Sequence, residues 1–404
     1  MKNLPVILVL VLVSAGTVVA QKDCSRPPLG RTPLSDMTNL TWNSIRGGLY
    51  PNGQNVAPLE LRESYQTLAQ LVAERSATGV PDQNAGKIVM IGVGASNPRT
   101  EFNAFVTEAM KDPTIRSSLV FANTCMGGQG IQKMNQVTDN YWKNAEHVLD
   151  SLGCSPQQVQ IAWIETDNTQ DADTTFPRAA ETLADQLYEL CSTMKGLYIN
   201  LKFIYFSSRS YAGYIDPAAA TAGRGLLSPR DYLNGWAIKF LIERQLTNRA
   251  GYSFTGDTPS LPALLWCTDN WADGLTPKSD GLFWHCDDYS GDGLHLSPLG
   301  EVKSGTRIYE FFSNDELAHG WFSRQDPTSV NEDNSTVTEQ TIGIYSDFLP
   351  IESPLPVTVS IVDMRGATVW YGTIEGAVQI PLSNFSSGMY ATHIGERTLM
   401  FIRQ

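Results

Sequence analysis

The sequence has little of what marks several common classes of protein. After residue 20 no apolar run is long enough to cross a membrane. No two cysteines have the Cys-x-x-Cys spacing typical of zinc and redox sites, and no acidic segment has the EF-hand pattern. Basic residues are also few, with 29 Lys and Arg against 42 Asp and Glu and a net charge of −13. This charge disfavours nucleic acids and anionic membrane surfaces as partners and leaves neutral sugar or lipid esters open.

The first 20 residues have the layout of a secretory signal peptide. Lys2 precedes an apolar run from Leu4 to Val13, and the segment ends at the small residue Ala20. We therefore expect residues 1–20 to be removed and the protein to be secreted or held at the cell surface. Export permits disulfides. The six cysteines allow many pairings, and we predict Cys267–Cys286 because these two flank one loop-like segment.

From about residue 86 to 320, apolar strand-like runs alternate with amphipathic helical patterns. This alternation predicts an α/β fold whose parallel sheet is covered by helices on both faces. The predicted strands lie near 87–94, 119–122, 159–164, 201–206 and 261–266, and the predicted helices near 59–75, 100–111, 178–195, 229–247 and 295–312.

The C-terminal part has a different character. Residues 323–352 are mainly polar and predict a linker, and 353–404 alternate like the strands of a small β-sandwich. This tail resembles the C-terminal sorting domain of the type IX secretion system in its segments "VDMRG", "IPLSNFSSGMYATHI" and "RTLMFIRQ". The resemblance implies export across an outer membrane by the type IX machinery. An ordinary β accessory module that binds sugar is the alternative.

Three residues have the types and spacing of a serine hydrolase. Ser96 follows the first predicted strand, and Asp292 and His295 lie three residues apart late in the chain. The histidine would take the proton of the serine hydroxyl, and the aspartate would hold the imidazole in the required tautomer. The alternative for Ser96 is the start of a helix, since Asn97 and Pro98 follow it.

Two further loops follow consecutive predicted strands. The first, 123–130, is rich in glycine and includes Gly128, so its backbone N–H groups can approach a substrate closely. The second, 165–168, ends at Asn168, whose side-chain amide can donate a hydrogen bond. Because the carboxyl ends of parallel strands share one edge of a sheet, we expect both loops to lie near Ser96.

The segments that contain Ser96, Gly128, Asn168 and His295 follow one another along the chain in an order that resembles the SGNH, or GDSL-type, serine hydrolases. The segment "DGLHLSPLG" is the most specific match. The resemblance covers about residues 86–310 and implies a flavodoxin-like three-layer fold for a hydrolase domain of residues 21–322. It implies Ser96 as nucleophile, Asp292 and His295 as the rest of the triad, and Ser96, Gly128 and Asn168 as oxyanion donors. The Gly-Asp-Ser motif that is usual in this family is Gly94-Ala95-Ser96 here, so its aspartate is missing.

The expected function is that of a secreted serine esterase without metal or other cofactor, acting on acyl esters, above all acetyl esters of carbohydrate. Arg209 follows a predicted strand, and we expect it and Tyr211 to contact the substrate. Arg209 would bind an acyl oxygen or a carboxylate. The alternatives are a lipase-like esterase and a non-catalytic carbohydrate-binding protein on the same fold, which the missing aspartate favours. Candidate aromatics for a sugar platform are Trp142, Tyr211, Tyr214, Trp236, Trp266, Trp271 and Trp284.

Overall fold

The computed structural model describes residues 21–218, 223–256, 258–323, 343–345, 348–363, 368–394 and 397–403. The chain divides into two units, Met1–Asp326 and Pro327–Gln404. The predicted signal peptide lies outside the described residues, so it stays a prediction.

The first unit contains a five-stranded parallel sheet with helices between its strands. It begins with a short hairpin of β1 (Thr41–Trp42) and β2 (Ile45–Arg46), followed by helix α1 (Arg62–Gln70). The sheet consists of β3 (Ile88–Gly94), β4 (Leu119–Asn123), β5 (Val159–Glu165), β6 (Phe203–Phe206) and β7 (Ala263–Trp266). The other helices are α2 (Ser96–Ala109), α3 (Asn140–Ser151), α4 (Arg178–Leu197), α5 (Arg230–Leu246), α6 (Pro298–Asn314) and α7 (His319–Phe322).

The strands lie in the order β4-β3-β5-β6-β7, and every pair is parallel. The predicted α/β class with a parallel sheet is therefore confirmed. The chain passes from β3 to β4 on one side and then returns to β5 on the other, so the strand order reverses at β3. Ligands of open α/β sheets bind outside the carboxyl ends of the strands at such a reversal. In this sheet the residue just beyond that point is Ser96.

The sheet is covered on both faces, because all seven residues of β3 and all seven of β5 are buried. Helix α2 packs Phe102 directly over Gly92, where any side chain would collide with the ring. Helix α6 in turn approaches α2 through Gly305, which contacts the backbone of Phe105. The arrangement is that of a three-layer α/β unit. No helix within the described ranges is both long enough and apolar enough to span a bilayer.

The second unit is a single five-stranded sheet as far as its described residues show. Its strands are β8 (Gly343–Tyr345), β9 (Phe348–Asp363), β10 (Thr368–Pro381), β11 (Gly388–Ile394) and β12 (Arg397–Arg403), in the order β10-β9-β11-β12-β8. All neighbours are antiparallel except β12 and β8. A two-sheet sandwich stays a prediction.

The linker prediction of 323–352 extends too far. Strand β8 and the start of β9 lie inside it, and Leu349 and Ile351 are buried in the core of the second unit. Polar residues around 326–336 dominate the composition of the predicted linker, and they obscure the short apolar alternation that follows them in the sequence.

Candidate active site

Ser96 lies where β3 turns sharply into α2. It is the first residue of that helix and lies two residues after Gly94, whose φ is +156°. A Cβ at Gly94 would collide with the carbonyl oxygen of Glu165 and the ring of Pro98, so only glycine fits this turn. The turn places the Ser96 hydroxyl at the sheet edge and its N–H at the positive end of the α2 dipole. Ser96 is thus both a helix start and a candidate nucleophile.

The three predicted catalytic side chains form one hydrogen-bonded chain. Ser96 Oγ lies 2.9 Å from His295 Nε2, and His295 Nδ1 lies 2.6 Å from Asp292 Oδ2. The other carboxylate oxygen of Asp292 accepts the backbone N–H groups of Leu294 and His295, each at 2.9 Å. The three contacts to Asp292 fix the carboxylate, and the carboxylate fixes the plane of the imidazole.

The pKa values of this pair are shifted in opposite directions. Burial alone would raise the pKa of Asp292, but the hydrogen bonds from the His295 ring, its N–H and the Leu294 N–H outweigh it and bring the pKa to about 2. The hydrogen bond to Asp292 raises the pKa of His295 above 6.5, against a smaller opposing effect of burial. Asp292 therefore stays ionised at neutral pH and increases the basicity of the imidazole.

Asn97 is a site residue that the sequence did not reveal. Its side-chain Nδ2 donates to the carbonyl of Leu294 at 2.9 Å, and its Oδ1 accepts the N–H of Leu296 at 3.3 Å. The residue next to the candidate nucleophile thus holds the backbone on both sides of His295. The only signal in the sequence is the position of Asn97 beside Ser96, where an asparagine before a proline is also typical of a helix start.

A cavity of about 360 Å³ opens beside Ser96. Ser96, His295, Gly128 and Arg209 all line it, as predicted. The remaining lining residues are Ala95, Asn97, Pro98, Glu165, Thr166, Asp167, Thr169, Gln170, Leu226 and Leu294. The walls therefore combine hydroxyl, amide and charged groups with a few short apolar side chains.

Gly128 brings a free backbone donor to this cavity. Its φ is +71°, a left-handed conformation that favours glycine. Its N–H makes no hydrogen bond to any residue that the structure describes. The loop is held in place from below, because Met126 N–H donates to the carbonyl of Gly94 at 3.0 Å. This geometry suits an oxyanion donor.

The structure does not place Asn168, the predicted side-chain oxyanion donor, on the cavity wall. Its Nδ2 donates to Gln186 Oε1 at 3.3 Å, and its Oδ1 accepts the N–H groups of Gln170 and Asp171, so the amide caps a turn and does not line the cavity. The preceding residue, Asp167, lines the cavity in its place. The sequence therefore predicts the correct loop, but the residue of that loop that lines the cavity is Asp167 and not Asn168.

The predicted contact of Tyr211 with substrate is also not supported. Tyr211 is buried against Tyr214 and Trp271 and does not line the cavity. The other proposed sugar-platform aromatics are buried as well and absent from its walls: Trp142, Tyr214, Trp236, Trp266, Trp271 and Trp284. Large aromatic side chains in this unit build the core.

Arg209 reaches the cavity through a buried ionic network. Its Nη1 lies 3.2 Å from Asp167 Oδ2 and 3.3 Å from the carbonyl of Gly225, and its Nη2 lies 3.1 Å from the carbonyl of Leu226. Asp167 is shared with Arg230, whose Nη2 lies 2.8 Å from the other carboxylate oxygen. Arg209 is 7 % exposed and Asp167 is 4 % exposed, so the pair is almost fully withdrawn from water.

Two buried glutamates meet under the cavity. The carboxyl groups of Glu101 on α2 and Glu165 at the end of β5 are both buried, and Ser304 donates a hydrogen bond to Glu101. Burial raises the pKa of both, and the neighbouring Glu101 charge raises that of Glu165 further. The charged form of Glu165 at the cavity wall is therefore disfavoured.

The disulfide prediction is wrong in one partner. Cys286 is bonded to Cys24, and Cys267 is free and buried. The residues beside Cys24 reinforce this link, because Lys22 Nζ donates to the carbonyls of Cys286 and Tyr289 and Lys22 N–H donates to Gly291. The first described residues therefore hold the segment that leads to Asp292.

Comparisons with known proteins add no relative. No protein-family model matches the chain, and no curated protein matches it at a significant level.

Proposed function

We propose that the protein is a serine esterase of the SGNH type that forms a covalent acyl-enzyme and needs no cofactor. The observation that carries the proposal is the continuous chain from Ser96 Oγ through His295 to Asp292 at the mouth of a cavity. The strand order of the sheet, second-first-third-fourth-fifth, is the flavodoxin-like order that the resemblance implies.

Acylation follows from this geometry. Ser96 Oγ attacks the ester carbonyl carbon as its proton passes to His295 Nε2, and the π electrons of the C=O bond move onto the carbonyl oxygen. The N–H groups of Ser96 and Gly128 stabilise that oxyanion. The electron pair then returns, the bond from carbon to the alcohol oxygen breaks, and His295 gives its proton to the leaving alkoxide. Asp292 stabilises the imidazolium between the two proton transfers.

Deacylation repeats these steps with water. His295 accepts a proton from a water molecule as its oxygen attacks the acyl carbon, and a second oxyanion forms in the same place. Its collapse breaks the bond from carbon to Ser96 Oγ, and His295 returns the proton to the serine. The products are a carboxylic acid and a free alcohol, and the enzyme is regenerated.

The cavity supports a small acyl group and a hydroxyl-rich alcohol. Its volume is at the lower end of the range for small-molecule sites, which suits an acetyl group better than a long acyl chain. Thr169 and Gln170 supply a hydroxyl and an amide group along one wall. We therefore propose acetyl esters of carbohydrate as substrates, recognised by hydrogen bonds and not by stacking on aromatic rings.

We also propose that the protein is secreted and that its second unit is a type IX sorting domain. The sequence resemblance and the separate β unit support this. A variant that ends at Ser323 is expected to keep full esterase activity but to stay in the periplasm of a host with the type IX system. Continued secretion, with weaker binding to insoluble polysaccharide, would favour a sugar-binding module.

The esterase proposal is tested by covalent labelling. A fluorophosphonate probe reacts with activated serines, so the wild type is expected to be labelled and the Ser96→Ala variant is not. The same pair is assayed on p-nitrophenyl acetate and on acetylated xylan. Absence of both labelling and hydrolysis in folded wild-type protein, together with retained binding to xylan, would show a non-catalytic binding protein.

A further inference from the structure

The candidate oxyanion site has two backbone donors but lacks the side-chain donor that the sequence predicted. The amide of Asn168 is used in its own loop, and the residue at the cavity wall, Asp167, carries a carboxylate that accepts hydrogen bonds. A developing negative charge near that wall would meet repulsion unless another group compensates. Of the described residues that line the cavity, only Arg209 carries a permanent positive charge.

We propose that Arg209 is the side-chain oxyanion donor of this active site. This inference rests on the proposed esterase function. It assigns Arg209 the role of a catalytic residue that contacts the carbonyl oxygen of the substrate in the transition state, together with the N–H groups of Ser96 and Gly128.

The position of Arg209 in the fold allows this contact. Ser96 follows β3 and Arg209 follows β6, and these strands are separated only by β5. Two strand spacings are about 10 Å, a gap that a long side chain directed along the sheet edge largely closes. The side chain extends toward β5, because its Nη1 bonds Asp167 just beyond that strand, and it lines the same cavity as Ser96 and Gly128.

The hydrogen-bonding capacity of Arg209 is incompletely used. Both protons of Nη1 have acceptors, in Asp167 and Gly225, and one proton of Nη2 has the carbonyl of Leu226. A guanidinium has five donor protons. The Nε–H and the second Nη2 proton therefore have no acceptor among the residues that the structure describes. Neither nitrogen is among the buried side-chain atoms that lack a partner, so these two protons remain accessible, and a substrate oxygen in the cavity can accept one of them.

The charge of Arg209 is also incompletely compensated. Among the residues that the structure describes, Asp167 is its only carboxylate partner in an ion pair, and that carboxylate lies closer to Arg230, at 2.8 Å against 3.2 Å. Burial raises the pKa of Glu165, the other acidic residue on the wall, and so disfavours its charged form. A guanidinium that is withdrawn from water and held by backbone carbonyls is preorganised to stabilise a charge that appears only in the transition state.

Kinetics of full-length variants on p-nitrophenyl acetate test the proposal. Arg209→Met keeps the length and apolar stem of the side chain and removes its donors, so kcat is expected to fall by roughly 10²–10³ with little change in KM. Asn168→Ala is expected to change kcat by less than about threefold. Arg178→Met is the matched control, because Arg178 pairs with Asp173 on the exposed surface.

Chemical rescue separates a catalytic role from a structural one. In Arg209→Ala, guanidinium chloride well below denaturing concentration is expected to restore kcat at least tenfold, and sodium chloride is not. Normal kcat with a raised KM would overturn the proposal and make Arg209 a ground-state contact. Lost activity with a lowered thermal midpoint and no rescue would overturn it in favour of a structural ion pair.

The experiments distinguish failure of the proposed esterase function from failure of the proposed role of Arg209. Wild-type protein that is not labelled by the fluorophosphonate overturns the esterase proposal and this inference with it. Wild-type protein that is labelled and active, with an Arg209→Met variant of equal kcat, overturns only the role of Arg209. If Arg209→Met does not fold, Arg209→Lys replaces it, and it is expected to keep part of the activity because the positive charge is retained.

Discussion

The side-chain amide of Asn97 donates a 2.9 Å hydrogen bond to the backbone carbonyl of Leu294. The nucleophile loop and the histidine loop are thereby joined one residue away from each catalytic group. The contact therefore couples the position of Ser96 to that of His295.

Asn97→Ala is expected to lower kcat/KM by roughly 10- to 100-fold, because a small displacement of His295 misaligns proton transfer. The thermal midpoint should change little. Asn103→Ala, an exposed asparagine on the same helix, is the control. Equal kcat/KM in Asn97→Ala and wild type would show that the loop holds His295 without this contact.

Ser96→Ala and His295→Ala are each expected to lower kcat by roughly 10⁴-fold or more, and the double variant should be scarcely worse than either. The two side chains act in one proton transfer, so their losses do not multiply. His319→Ala changes an exposed histidine of α7 and serves as the control. Losses that multiply in the double variant would show that the two residues serve different steps.

The pH profile of kcat/KM should have an acid limb above pH 6.5. His295 must be neutral to accept the serine proton, and its hydrogen bond to Asp292 raises its pKa above that value. Activity is therefore lost as the pH falls through the raised pKa. Because Asp292 has a pKa of about 2, it stays ionised throughout this range.

Asp292→Asn removes the cause of the shift, so the limb should move to lower pH while kcat also falls. Asp287→Asn, an exposed carboxylate of the same segment, should leave the limb in place. A limb that does not move in Asp292→Asn would mean that another group titrates.

Gly128→Ala is expected to lower kcat at least about tenfold. A methyl group at Gly128 meets no atom within 4 Å, so crowding is not the cause. The cause is the φ of +71°, which costs a non-glycine residue roughly 1–2 kcal/mol and is relieved by rotating the N–H away from the cavity. Gly127→Ala is the matched control, since Gly127 is equally uncrowded but has no positive φ. Similar kcat values for the two variants would exclude the Gly128 N–H as a donor.

Local patterns were sufficient for the strands and for the three residues that the structure joins in one hydrogen-bonded chain. Ser96 ends a fully apolar strand, and Asp292 and His295 are close enough in sequence to share one loop, so neither inference needed long-range information. The sequence did not show that Asp167 and not Asn168 lines the cavity, because adjacent residues of a loop point in different directions. Which of them faces the cavity is decided by Arg209 and Arg230, which bind Asp167 from 42 and 63 residues away.

The disulfide prediction failed for a related reason. Cys24 lies 262 residues from Cys286, and no spacing rule connects them. Tyr211 follows a strand, as a substrate-contacting residue often does, but its contacts with Tyr214 and Trp271 come from how the loops pack. These choices depend on tertiary contacts between segments far apart in the chain.

The link from Lys22 and Cys24 to the segment 286–291 joins parts of the chain that are 262 residues apart, and the whole parallel sheet lies between them in sequence. Contacts of such long sequence separation form slowly, so we expect this link to form late in folding. Oxidation of Cys24 and Cys286 adds a covalent bond to the hydrogen bonds by which Lys22 holds the segment that leads to Asp292. Recovery of the proposed esterase activity is therefore expected to follow the oxidation of Cys24 and Cys286 more closely than a measure of secondary structure does.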